Sequence, residues 1–260
     1  MKQPLSRPCW ICGKPADTAE HKWKRSDLVA RYGQRWTPEQ MPFVIRGDGG
    51  SRWERIQGPD DRNNVYSKML CCVCNNAGTS GFDRAYQKFS DWVLATAPIL
   101  HGKEAIDFVE IYGDHYVEGT RNLLLYFAKS LGCRIADAGI EPPKRLQRLL
   151  TDVSPIDTSP LLVSFGINDF WRRIDHTGRV IGNADFHTWP EITDRQCFSC
   201  VDVLGYLEIF YWYDIKWEDG YPYGGDPMCR PRRSVSLGRR DPLPDEPAAS
   251  MTVDASSDLP

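Results

Sequence analysis

The chain has no run of eighteen apolar residues, so nothing in it reads as a membrane-spanning helix. Its start, Met1-Lys2-Gln3-Pro4, lacks the apolar stretch of a secretory signal, and a cytosolic setting is expected. No segment repeats at a fixed period. Cysteine is not present in the even set of a disulfide framework: there are nine, an odd number, which suits reduced thiols and metal binding better. A strong charge of one sign is also missing, since the formal net charge of the 260 residues is −3. That figure hides an asymmetry. Residues 1–93 carry 15 Lys/Arg against 10 Asp/Glu, a net of +5, and the remainder carries 17 against 25, a net of −8. A basic N-terminal part favours a polyanionic partner there, although such an imbalance also arises from a solvated face.

What is present is a pattern of cysteines. Cys9-x-x-Cys12 and Cys71-x-x-Cys74 are two short pairs, each able to grip one Zn²⁺ from a tight knuckle. Together they would close a tetrahedral four-thiolate site, which stabilises folding and leaves no open position for chemistry. Other groups must then supply any catalysis. Glu20-His21 lies between the pairs and Asn75-Asn76 follows the second. A carboxylate and an amide oxygen are ligands for a hard divalent ion, and an imidazole can deprotonate a water near neutral pH.

The pattern along the chain predicts an α+β protein in three parts. Residues 1–96 read as knuckle, hairpin strand around Ala19–Trp23, a long insertion over 31–66, second knuckle and then a helix from Thr79 to about Val93, the order of a treble clef with a ββα-metal arrangement. Residues 97–224 read as an accessory domain. It has helices over roughly 103–113 and 118–138, a shorter one after Pro143, and a small antiparallel sheet built from Leu161–Ile167, Gly178–Ile181 and Val201–Tyr213. Residues 225–260, rich in Pro, Arg, Ser, Asp and Ala, read as a disordered tail.

The segments Cys9-Trp-Ile-Cys12-Gly13, Ala19-Glu20-His21 and Leu70-Cys71-x-x-Cys74-Asn75-Asn76 resemble the HNH endonucleases of the His-Me finger group, in the zinc-containing form with Asn as the last motif residue. The resemblance covers about residues 1–95. It implies a metal-dependent DNA endonuclease in which His21 is the general base, Glu20 and Asn75 hold one Mg²⁺ or Mn²⁺, and the four cysteines hold a structural Zn²⁺. The family's middle Asn, which braces the loop holding the base, should stand five residues before Cys71, but Tyr66 is there. Asn64, with a small insertion, is carried over to that role. Lys22, Lys24 and Arg25 flank the proposed base and are candidates for DNA contact.

Other features carry less. Cys197-x-x-Cys200 would need Cys133 and Cys229 to complete a second zinc site, and buried thiols are the plainer reading. Asp175-His176 repeats the letters of the Glu-His step but precedes Thr177-Gly178 in what reads as a turn. Asn76 would point away from Asn75 on a helix. Arg230, Arg232, Arg233, Arg239 and Arg240 suit either phosphate contact or a solvated tail. A treble-clef zinc module that binds nucleic acid or protein without catalysis stays open as the alternative.

Overall fold

The computed structural model describes residues 7–37, 43–45, 53–152, 160–174, 180–183, 187–188, 197–214 and 225–240. The protein is a mixed α+β fold in which two long helices cover a mixed sheet. In chain order the elements are α1 (Arg25–Tyr32), the short pair β1 (Phe43–Ile45) and β2 (Trp53–Arg55), α2 (Cys72–Asn75), α3 (Ser80–Leu100), β3 (Ala105–Asp107), α4 (Phe108–Tyr112) and α5 (Tyr116–Asp137). After these come α6 (Lys144–Thr151), β4 (Leu161–Asn168), α7 (Asp169–Ile174), β5 (Ile181–Asn183), β6 (His187–Thr188), β7 (Phe198–Leu204), β8 (Leu207–Tyr213) and β9 (Ser234–Arg240).

Six strands run in the order β3-β9-β4-β8-β7-β5, with β6 paired beside β5 on β7. The β4 and β9 strands are parallel, Phe165 opposite Leu237, while the other neighbours are antiparallel. The small antiparallel sheet expected from sequence is therefore larger and mixed. Residues 225–240, expected in a disordered tail, instead supply Met228, which bridges to Val163, and β9, which sits between β3 and β4. The composition misled because β9, Ser-Val-Ser-Leu-Gly-Arg-Arg, needs only Val235 and Leu237 to point inward, and both are buried. The Asp175-His176 step and residues 241–260 lie outside the described residues.

The sheet's alternation places its core. In β8 the odd positions Leu207, Ile209, Tyr211 and Tyr213 join the main core, whereas Phe210 and Trp212 face the other way and stack at 5.9 Å. Helices α3 and α5 pack on the first face through rings. Phe127 meets Phe89 at 6.2 Å, Phe165 at 6.1 Å and Tyr211 at 5.4 Å, while Tyr86 stacks on Tyr126 at 3.9 Å. Each fully buried Phe contributes about 1.5–3 kcal/mol. A buried pair of Arg134 on α5 with Asp202 on β7, the latter also accepting from Tyr211 Oη at 2.6 Å, ties helix to sheet.

One expectation about the middle of the chain needs correction. The segment 103–113 opens with β3, because Ala105-Ile106-Asp107 pairs with β9, and only then turns into α4 behind the Asp107 side chain, which accepts from Val109 N at 2.9 Å. Position 96 lies inside α3, and one continuous cluster of buried side chains runs from Cys9 to Leu237.

Candidate functional site

The four motif cysteines converge. Cys9, Cys12, Cys71 and Cys74 place their sulfurs within 4.8 Å of one another, with Cys12 and Cys71 at 3.5 Å. A tetrahedron with Zn–S arms of about 2.3 Å has edges of about 3.8 Å, so the group could hold a structural zinc. Local backbone chemistry makes each knuckle. In the first, Cys9 N donates to Lys14 O at 2.6 Å and Gly13 N to Cys9 O at 2.8 Å, with Gly13 at φ +75°, a conformation glycine adopts freely. In the second, Cys71 precedes α2, and Asn75 N donates back to Cys71 O at 2.9 Å. The two are joined by Trp10 N donating to Met69 O at 3.1 Å. The backbone amide of Cys74 pulls the Cys71 thiol down to about 7, whereas burial pushes Cys9 and Cys74 up. Among the described residues no other group of three or more His, Cys, Asp or Glu side chains has this convergence. Cys197 and Cys200 are both buried, and burial pushes the Cys200 thiol up to about 12.

Glu20 and His21 lie on an extended stretch whose partner is the segment just before the second knuckle. Thr18 pairs with Leu70 and His21 with Val65, and Tyr66 N donates to Glu20 O at 2.9 Å. The two stretches thus run antiparallel, joined by isolated bridges, and the second leads into α2. Asn64 holds its far end. The residue is fully buried; its Oδ1 accepts from Trp23 N at 2.9 Å, and its Nδ2 donates to Trp23 O at 3.0 Å and Pro59 O at 3.1 Å. Its own carbonyl accepts from Lys22 N at 2.7 Å. Asn64 therefore grips the backbone directly after His21 from both sides.

Asn75 ends α2 and Asn76 is its non-helical C-cap, and their side chains diverge. Asn76 Nδ2 turns back to Cys72 O at 3.0 Å, while Asn75 Nδ2 donates to Ala19 O at 3.1 Å, beside Glu20. The Asn75 Oδ1 is buried with no hydrogen-bond partner among the described residues. His21 is about a third exposed, its Nε2 4.0 Å from Asp60 Oδ1. The flanking cations are engaged within the protein. Lys24 Nζ donates to Asp83 O at 2.9 Å, pairs with Asp83 Oδ1 at 3.3 Å and lies over the Tyr86 and Tyr126 rings. Arg25 pairs with Asp60 at 2.8 Å, and Lys22 lies over the Tyr66 ring at 5.8 Å.

Sequence reasoning missed Lys129. It sits midway along α5 with only 2% of its side chain exposed, and its Nζ lies 2.8 Å from Glu20 Oε2 and 3.6 Å from Asp83 Oδ2. The apolar stripe of α5 gave no signal for it. That stripe, Leu123, Leu124, Phe127, Ala128 and Leu131, leaves position 129 on nearly the opposite side of α5, which from sequence reads as solvated; only the N-terminal segment that brings Glu20 against it buries the lysine, and a buried lysine demands an anionic partner.

Comparison of the chain with protein-family models, with curated proteins and with solved structures finds no match. What fold and site define is a mixed α+β protein with a four-cysteine group near the N-terminus that could hold zinc. No helix among the described residues is long and apolar enough to cross a membrane.

Proposed function

We propose that this protein is a metal-dependent DNA endonuclease of the HNH type, in which a treble-clef zinc module carries a one-metal hydrolytic site. The observation that carries the reading is Asn75. Its amide is docked on the carbonyl next to Glu20, some fifty-five residues away in sequence, and its oxygen is buried without a hydrogen-bond partner among the described residues. A buried unpaired oxygen costs about 1–3 kcal/mol, and a cation is the partner that oxygen chemistry accepts.

Glu20 and Asn75 would hold Mg²⁺ or Mn²⁺, a hard ion that accepts both oxygen types and, when bound, neutralises charge on a scissile phosphate. The imidazole of His21 takes the proton from the attacking water, a task its partial exposure permits. Asn64 keeps that imidazole in place by clamping the backbone of Lys22 and Trp23. The basic surplus of residues 1–93 supplies the attraction for DNA. Lys24 and Arg25 are paired with Asp83 and Asp60, so of the three flanking cations Lys22 is the best suited to a phosphate.

A second reading, a zinc module that binds nucleic acid or protein without catalysis, is favoured by one observation: the Glu20 carboxylate already has a counter-charge in Lys129. The deciding experiment is incubation of the purified zinc-loaded protein with supercoiled plasmid and Mg²⁺ or Mn²⁺, beside His21→Ala. We expect nicking or cutting that falls by about 10²–10⁴-fold in the variant, with zinc content unchanged. Equal cutting by both would remove His21 as the base, and no cleavage by the wild type would favour the binding module.

A further inference from the structure

The carboxylate offered to a divalent ion is occupied from an unexpected direction. Lys129 belongs to α5, well outside the segment that carries the cysteine and Glu-His pattern. The ammonium reaches Glu20 Oε2 at 2.8 Å and Asp83 Oδ2 at 3.6 Å, and Lys24 pairs with the other Asp83 oxygen at 3.3 Å. The four charges alternate, Glu20 negative, Lys129 positive, Asp83 negative, Lys24 positive, and sum to zero. The site is electrically complete without any metal.

Lys129 has little freedom to leave. Its side chain is almost wholly buried, and its helix neighbours Leu125, Ala128, Leu131, Gly132 and Cys133 are buried too. A second cation brought to Glu20 would stand beside an ammonium that solvent screens poorly, and two like charges sharing one carboxylate repel. The accommodation available is local: Asp83 already lies 3.6 Å from Nζ and can take a larger share of it.

We propose that Lys129 is a tethered cation that competes with the divalent ion for Glu20, setting the metal affinity of the site and keeping it neutral when no ion is bound. The inference rests on the reading of Glu20 as a metal ligand given above. It differs in sign from the other role an outer-shell lysine can have. A lysine that only orients a ligand helps the metal, and its loss weakens binding by about 10–100-fold. A competing lysine does the opposite.

The test is Mn²⁺ binding to the full-length, zinc-loaded protein, followed by electron paramagnetic resonance of free Mn²⁺ and by titration calorimetry. Wild type, Lys129→Met and Lys129→Gln are compared, each with and without Glu20→Gln. We expect both Lys129 variants to bind one Mn²⁺ at least about tenfold more tightly than wild type, a gain that Glu20→Gln removes. Their melting temperatures should also rise with Mn²⁺ more steeply than that of wild type, as linkage requires. Lys129→Gln can hydrogen-bond both carboxylates and supplies the same readout should methionine not be tolerated there. Unchanged or weaker Mn²⁺ binding in the folded variants overturns the competition and leaves the nuclease reading standing. Absence of Glu20-dependent Mn²⁺ binding in wild type and both variants overturns the two together.

Discussion

At the scale of single residues, Asn64 shows how much a buried amide can decide. One fully buried side chain satisfies the backbone N–H and carbonyl of Trp23 and the carbonyl of Pro59. Replacing it by alanine leaves those groups without partners, each at about 1–3 kcal/mol. We expect Asn64→Ala to lower unfolding free energy by roughly 2–4 kcal/mol in urea titration, with zinc content retained because the residue touches neither knuckle. Asn63, its neighbour, is only half-buried and should be the more tolerant position. The sequence offered both asparagines, seven and eight residues before Cys71, and Tyr66 at the family spacing. Choosing between them required knowing which side chain the 3₁₀ turn over Arg62–Asn64 turns inward.

At the scale of elements, α5 is the helix against which the first knuckle packs. Trp10, inside the first knuckle, packs against Gly132, where a Cβ would meet the indole ring at 2.2 Å. Inside a helix alanine is ordinarily better than glycine by about 1 kcal/mol. The close approach of the ring reverses that sign. Gly132→Ala is expected to destabilise the protein by about 1–3 kcal/mol, as overpacking does, measured by thermal or denaturant unfolding. Trp10→Phe in the same background should recover part of the loss by shortening the ring. A result in which Gly132→Ala stabilises would mean that the knuckle does not rest on α5.

At the scale of the molecule, the cysteine group and the helix-sheet core form one packing unit, with Trp10 and the Lys129–Glu20 pair as joints between them. Zinc bound at the four thiols should therefore stabilise more than its own loop. Removal by a strong chelator is expected to lower the melting temperature by about 10 °C or more, on the scale of about 2–4 °C per kcal/mol for a chain of this size. Zinc ligation needs thiolates, whose ordinary pKa lies near 8.5. The zinc contribution should accordingly be largest at alkaline pH and be lost progressively as pH falls, protons taking the metal's place. Melting curves with and without chelator between pH 5 and 8 would show the gap between them closing toward acid.

By itself the sequence determined the parts whose signal is local. Two CxxC spacings made each knuckle legible, because each is made by a few consecutive backbone bonds, while the bond from Trp10 N to Met69 O is what brings the two pairs of sulfurs together. The long helices were legible from their apolar spacing, and β4, β7 and β8 from their β-branched and aromatic runs. Tertiary structure alone decided where β9 goes, because a strand with two apolar positions in a polar tail acquires its place only from the vacancy between β3 and β4. It also decided the partner of Glu20. A carboxylate and an ammonium 109 residues apart carry no sequence signature of their pairing, and only the packing of α5 against the N-terminal strand pair brings their charges to 2.8 Å.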